Sequence, residues 1–205
     1  MQRMRNNRIQ HLYFVGIGGA GMSGIAEVLH ENGFKISGSD TGNGPVIQYL
    51  KSLGIQILPE HKGENIGNAE LLVYSSAIQK DNPEIQEAQN RRIPIIRRAE
   101  MLGELMRLKY TLAIAGTHGK TTTTSLVGCI LETAEVDPTI IVGGIVKGKG
   151  SGAKVGRGNY LVAESDEFDR SFLSMMPSSA IITNIDEDHL DTYADLQEIK
   201  EAFVE

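Results

Sequence analysis

Lys120 and Thr121 stand where their neighbours make them chemically useful, at the end of the run Gly116-Thr117-His118-Gly119-Lys120-Thr121-Thr122. Glycines let a backbone fold closely around an anion with its N–H groups turned inward, and the start of a following helix adds partial positive charge at the same spot. A lysine there reaches the terminal phosphates of a nucleotide, and the next hydroxyl can ligate Mg²⁺. The general pattern Gly-x-x-x-x-Gly-Lys-[Ser/Thr] is not met, because Ile114 occupies its first glycine position. What remains is a shorter loop, Gly-x-x-Gly-Lys-Thr.

Glu164 is the acid that such a loop needs nearby. It ends the apolar run Tyr160-Leu161-Val162-Ala163 and opens the acidic cluster Glu164, Asp166, Glu167 and Asp169. A carboxylate at a strand end beside a Lys-Thr loop can supply an oxygen to nucleotide-bound Mg²⁺. Asp166, Glu167 and Asp169 read better as solvated acids. His189, flanked by Asp188 and Asp191 just beyond the run Ser179 to Asn184, is a candidate metal ligand or phosphate contact.

A second glycine pattern lies near the start. Gly16, Gly18 and Gly21 fit Gly-x-Gly-x-x-Gly between an apolar run, His11 to Val15, and a segment with helical spacing at Met22, Ile25, Ala26 and Leu29. Asp40 follows at the end of the next apolar run, where it can accept from a ribose hydroxyl. Ser75 and Ser76 end another such run and could meet a nucleotide or simply cap a turn. The pattern implies a pyrophosphate ligand but does not separate NAD, FAD and a UDP-sugar.

These residues need elements to hold them, and strand and helix patterns alternate along the whole chain. Strands are expected at 11–15, 34–38, 55–58, 71–74, 93–96, 110–114, 139–142, 159–164 and 179–184, with helices between them. Asn82-Pro83 starts one helix, and Asn32-Gly33 and Gly54 end two others. The repeats place a domain boundary near 108, giving domains 1–108 and 109–205. The second is short for a parallel nucleotide-binding domain, so the chain is expected to be a fragment.

Composition narrows the class. The chain has 205 residues, 40% hydrophobic and 22% charged, with a net charge of −6 and no long basic run, which disfavours nucleic acid and anionic membrane as partners. No apolar run approaches a membrane span, and the basic start lacks the long apolar stretch of a secretion signal. A cytoplasmic protein is expected. The single cysteine, Cys129, forms no intrachain disulfide and reads as a small buried apolar residue.

The loop 116–122 resembles the ATP loop of the Mur ligases, and Thr183-Asn184-Ile185-Asp186-Glu187-Asp188-His189-Leu190-Asp191 resembles their second signature. Gly16-Ile17-Gly18-Gly19-Ala20-Gly21-Met22-Ser23-Gly24, Ser37-Gly38-Ser39-Asp40 and Ser75-Ser76-Ala77-Ile78 are similar to the motifs of members that join L-alanine to UDP-N-acetylmuramate. The resemblance covers nearly the whole chain. It implies an α/β protein, with a Rossmann-like UDP-binding domain followed by an incomplete P-loop ATP-binding α/β domain. The implied reaction is ATP-dependent: the lactyl carboxylate of the sugar attacks the γ-phosphate, and the amine of alanine displaces phosphate from the acyl phosphate.

The resemblance also assigns roles. Gly116, Thr117, His118, Gly119, Lys120, Thr121 and Thr122 would contact ATP, with Lys120 and His189 catalytic. Thr121, Glu164 and His189 would hold Mg²⁺. Gly16, Gly18, Gly19, Ala20, Gly21, Met22, Ser23, Ser39, Asp40, Ser75, Ser76 and Ala77 would bind the UDP-sugar. The family's remaining C-terminal portion is expected but absent, so UDP-sugar recognition should persist while catalysis is incomplete. Three alternatives stay open. A ligase that recycles murein tripeptide onto the same UDP-sugar shares the ATP loop but differs at the first glycine motif. A NAD-dependent oxidoreductase would explain Gly16 to Asp40 and leave Lys120-Thr121 without a role. A nucleotide-sensing module would suit the short chain.

Overall fold

The computed structural model describes residues 9–19, 21–144, 151–166, 170–187 and 192–204. Two compact units emerge, one within Met1–Met101 and Gly144–Lys154, the other within Leu102–Gly143 and Val155–Glu205.

In the first unit, β1 (His11–Val15), α1 (Met22–Glu31), β2 (Lys35–Ser39), α2 (Pro45–Ser52), β3 (Gln56–Leu58), β4 (Leu71–Tyr74), α3 (Pro83–Asn90) and β5 (Ile95–Arg97) alternate as the sequence implies. The strands are parallel, in the order β3-β2-β1-β4-β5. All five residues of β1 are buried, as expected for the middle of a parallel sheet covered on both faces. Val15 pairs with Ser39 on one side and Tyr74 on the other, so Gly16, Asp40 and Ser75 begin their loops abreast. The strand order reverses between β1 and β4, the place where open α/β sheets take ligands. A short 3₁₀ turn, Gly63–Ile66, has no periodic signal; Ile66 anchors it in the core beside Tyr13, Leu72 and Ile85.

Helix α4 (Arg98–Met106) carries the chain into the second unit. There β6 (Tyr110–Ala115), α5 (Lys120–Thr133), β7 (Thr139–Ile141), β9 (Tyr160–Glu164), β10 (Ser179–Ile182) and α6 (Leu196–Val204) follow, while the two-residue β8 (Ala153–Lys154) falls within the first unit. The parallel order is β10-β6-β9-β7. Ile114 pairs with Glu164, and Ala115 with Ile182, so the phosphate loop, the acidic segment and Thr183 leave the sheet at one edge. Lys109 braces the opposite end of β6: its ammonium donates to Thr139 Oγ1 (2.8 Å) and to the carbonyls of Gly158 (2.8 Å) and Gly156 (3.1 Å).

Packing places the division between 101 and 102 and returns Gly144–Lys154 to the first unit. Glu27 on α1 explains the return, since its carboxylate accepts from Ser151 Oγ as well as from the Tyr49 hydroxyl (2.8 Å). Gly24 allows the approach; a Cβ there would lie 3.0 Å from the Gly152 carbonyl carbon. Cys129 is exposed rather than buried. Helix α5 buries Thr124 and Gly128 and turns Leu126 and Ile130 outward, 60% and 66% exposed. Gly128 sets this rotation, because a Cβ there would stand 2.5 Å from Ile140 Cδ1.

Candidate functional site

The phosphate loop is built on two glycines with backbones that L side chains rarely adopt, Gly116 at φ 121° and Gly119 at φ 80°. Gly116 has a second constraint. Its Cβ would lie 2.3 Å from Thr183 Oγ1 and 2.7 Å from the Asn184 carbonyl. Gly119 caps α5 without a side chain, leaving the N–H groups of the first helical turn directed at the loop mouth.

The segment after β10 holds this loop in place. Asn184 Oδ1 accepts from the His118 N–H (3.0 Å) while its Nδ2 donates to the His118 carbonyl (2.9 Å). The Asn184 carbonyl accepts from the Thr117 N–H (3.1 Å), and the Thr183 hydroxyl donates to the His118 carbonyl (2.7 Å). Thr117 is buried, with its hydroxyl accepting from the Asp186 N–H (3.0 Å), so it shapes the loop from beneath. His118, Gly119, Thr121 and Thr122 are exposed. Lys120 folds over the loop, donating to the Gly116 carbonyl at 2.7 Å. A phosphate would have to draw that ammonium away.

Glu164 meets the requirement for a cation ligand. Its Oε2 accepts from the Gly143 N–H (2.9 Å), while its Oε1 is buried without a hydrogen-bond partner among the described residues. A buried carboxylate oxygen left unpaired is costly, and a metal ion there would satisfy it. The described residues contain no group of three or more His, Cys, Asp or Glu able to hold a metal. Nucleotide-bound Mg²⁺ needs fewer, since phosphates and waters complete its octahedron. His189 lies outside the described residues, so the structure does not place it against Glu164.

In the first unit, Gly16 and Gly21 both have φ 73°. The N–H groups of Gly16 (2.9 Å) and Ile17 (3.1 Å) donate to the Ser39 carbonyl, and Gly21 caps α1 without a side chain. Asp40 does structural service as well: Oδ2 accepts from Gly18 N–H and Oδ1 from Gly42 N–H, both at 2.8 Å. Met22 and Ser23 are buried in α1. Ser75 caps a turn, accepting from the Ala77 N–H (3.4 Å), beside exposed Ser76 and Ala77. Ala20 lies outside the described residues, and Gly19 closes the loop by donating to the Gly16 carbonyl (3.1 Å).

Ser39 is fully buried, and its hydroxyl donates inward to Glu84 Oε2 (2.7 Å). Glu84 has no exposed surface, yet it is fully hydrogen-bonded. Tyr13 (2.7 Å) and Asn65 (3.0 Å) reach Oε1, and His61 Nδ1 (2.9 Å) joins Ser39 at Oε2. Burial pushes the Tyr13 phenol well above its ordinary range. This network supports Ser39, whose carbonyl anchors the glycine loop. Neither Glu84 nor His61 carries a sequence signal; a helical glutamate after Asn82-Pro83 looks solvated. Asn184 did have one, its place in the motif around His189.

Two glycine-built loops in series, each opening from the end of a parallel α/β sheet, are the shared feature of the two units. Residues 11–110 match the Mur ligase family catalytic domain and residues 114–205 match the Mur ligase middle domain, so the chain belongs to the Mur ligase family. It is 56% identical over 198 residues to a UDP-N-acetylmuramate–L-alanine ligase of Geobacter sp. (strain M21), covering 97% of this chain and 43% of that protein. Among solved structures, a UDP-N-acetylmuramate–alanine ligase from Thermotoga maritima superimposes with a TM-score of 0.87 at 35% identity, over 95% of this chain and 46% of that one. A UDP-N-acetylmuramate:L-alanyl-γ-D-glutamyl-meso-diaminopimelate ligase from Neisseria meningitides gives 0.85 at 29% identity, over 95% and 66%. The chain therefore spans less than half the length of the first two relatives.

Proposed function

We propose that this chain is the UDP-sugar-binding portion and part of the ATP-binding portion of a ligase that joins L-alanine to UDP-N-acetylmuramate. The observation that carries the reading is the pair of loops in series, one at a sheet switch point and one ending in Lys120-Thr121, beside Glu164 with its unpartnered oxygen. Its relatives' names supply the substrates. In the reaction, the lactyl carboxylate attacks the γ-phosphate of ATP, ADP leaves, and the amine of alanine then displaces phosphate from the acyl phosphate.

Lys120 leaves the Gly116 carbonyl to neutralise the β- and γ-phosphates, and the first-turn N–H groups of α5 orient them. Thr121 and Glu164 would hold Mg²⁺, and His189 would assist a second metal position. The ion supplies charge compensation at the phosphate oxygens. Asn184 keeps the loop open to receive them. The setting is cytoplasmic synthesis of wall precursors, on which cell shape and division depend. Among the described residues no helix is long and apolar enough to cross a membrane.

Calorimetry of the 205-residue chain with UDP-N-acetylmuramate and with NADH tests the first loop. UDP-sugar binding is expected; NADH binding in its place overturns the reading in favour of the oxidoreductase. For the second loop, a chain extended to its relatives' length should release ADP only when alanine is added. ADP release driven by the murein tripeptide instead would assign it to the recycling ligase.

A further inference from the structure

We infer that Arg98 is a diphosphate-binding residue of the first unit, an assignment that rests on the UDP-sugar reading of the Gly16–Gly21 loop. Arg98 opens α4 directly after β5, whose Arg97 pairs with Tyr74 at the sheet edge where Ser75 begins. Its side chain reaches back to the glycine loop. A Cβ on Gly21 would lie 3.0 Å from Arg98 Nη1, 3.5 Å from Cδ and 3.8 Å from Cζ.

The charge arrangement is informative. Gly21 caps α1, whose first turn concentrates partial positive charge, and the guanidinium stands against that same turn. Arg98 is only partly exposed and has no ion-pair partner among the described residues. Asp40, the acid bound to the glycine loop, has both oxygens engaged by the N–H groups of Gly18 and Gly42. Two like-signed features brought together without an ion pair among the described residues are unfavourable until an anion joins them. A guanidinium also presents parallel N–H donors that match a phosphate bidentately. The ligand class is therefore a nucleoside diphosphate, with Arg98 and the α1 amides gripping its phosphates from two sides. Gly21 serves both, giving the left-handed cap and the space in which the arginine lies.

The test is calorimetric titration of the 205-residue chain with UDP and with uridine, for the wild type, Arg98→Gln and Arg98→Lys. Arg98→Gln keeps the stem over Gly21 and removes the charge; Arg98→Lys keeps the charge and removes the fork. UDP binding should weaken by about ten- to a hundredfold in Arg98→Gln and by less in Arg98→Lys, as expected for loss of a charged hydrogen bond. Uridine binding should not change, and the salt dependence of UDP binding should become shallower in Arg98→Gln. Wild-type UDP affinity in both variants would overturn the assignment while leaving the UDP-sugar reading intact. Equal loss of UDP and uridine would make Arg98 structural. A wild-type chain that binds neither ligand would overturn both readings together.

Discussion

Asn184 holds the peptide groups on both sides of His118, accepting its N–H at 3.0 Å and donating to its carbonyl at 2.9 Å. One carboxamide thereby fixes the middle of the phosphate loop from the far side of the β6–β10 pair. Asn184→Ala removes both bonds, each worth about 0.5–1.5 kcal/mol. The second unit should lose about 1–3 kcal/mol in urea unfolding by that measure, and ATP should bind more weakly. Asn184→Asp is the sharper variant. It retains the acceptor, sets an oxygen against the His118 carbonyl and adds negative charge beside the phosphates. ATP affinity below that of Asn184→Ala is expected; equal affinities would mean that the loop does not depend on the donor.

Glu164 combines one engaged oxygen with one that has no partner among the described residues, and the two make different demands. Glu164→Gln can still accept from Gly143 while losing the charge that a metal requires. Without ligands, the thermal midpoint should be unchanged or raised, because a buried charge has been removed. With Mg²⁺ and ATP, the wild type should gain stability by mass action and the variant should gain much less. Equal gains would exclude Glu164 from the cation site.

Much of this arrangement is written locally. The glycine loops, Lys120-Thr121, and the strand ends at Val15, Tyr74 and Glu164 are short patterns whose neighbours decide their structure, and the parallel register then sets them abreast. What escaped depends on distant partners. Glu84 meets Tyr13 and Ser39 across a gap of 71 and 45 positions, so nothing near it marks a buried carboxylate. Ser39 ends β2 at the ligand-facing edge of the sheet, yet its hydroxyl turns inward for the same reason. The return of Ser151 to Glu27 spans 124 positions, and Cys129 is exposed because Gly128, its neighbour, takes the buried place against Ile140.

The Glu84 network predicts where the first unit is most sensitive. Glu84→Ala leaves the buried Tyr13 hydroxyl without its acceptor and takes one partner from Ser39, which keeps His61 Nδ1 (2.9 Å), and one from Asn65, which keeps the Glu60 carbonyl (2.7 Å). Orphaning a buried group costs about 1–3 kcal/mol. A loss of about 1–3 kcal/mol in urea unfolding is expected, chiefly from Tyr13. UDP affinity should fall too, because the Ser39 carbonyl receives the N–H groups of Gly16 and Ile17. Glu84→Gln retains an acceptor for Tyr13 and should lose less. Full stability in Glu84→Ala would show that the network is not a support for the loop.

His11 provides a pH signature in the same unit. Its ring lies between Ser37 Oγ (2.8 Å) and Asn68 Oδ1 (3.0 Å) at the start of β1. Burial holds its pKa below the ordinary histidine value of 6.5, with nearby Lys35 adding to the effect against the hydrogen bond to Asn68. The folded chain thus prefers neutral imidazole, and the unfolded chain binds the extra proton. Its contribution is complete above pH 6.5 and is lost as pH falls through the lower folded-state value. Thermal midpoints of the wild type should therefore drop more steeply than those of His11→Asn on acidification from about pH 7 to about pH 5. The difference between the two curves isolates His11 from the other histidines; parallel curves would show that its ring titrates alike in both states.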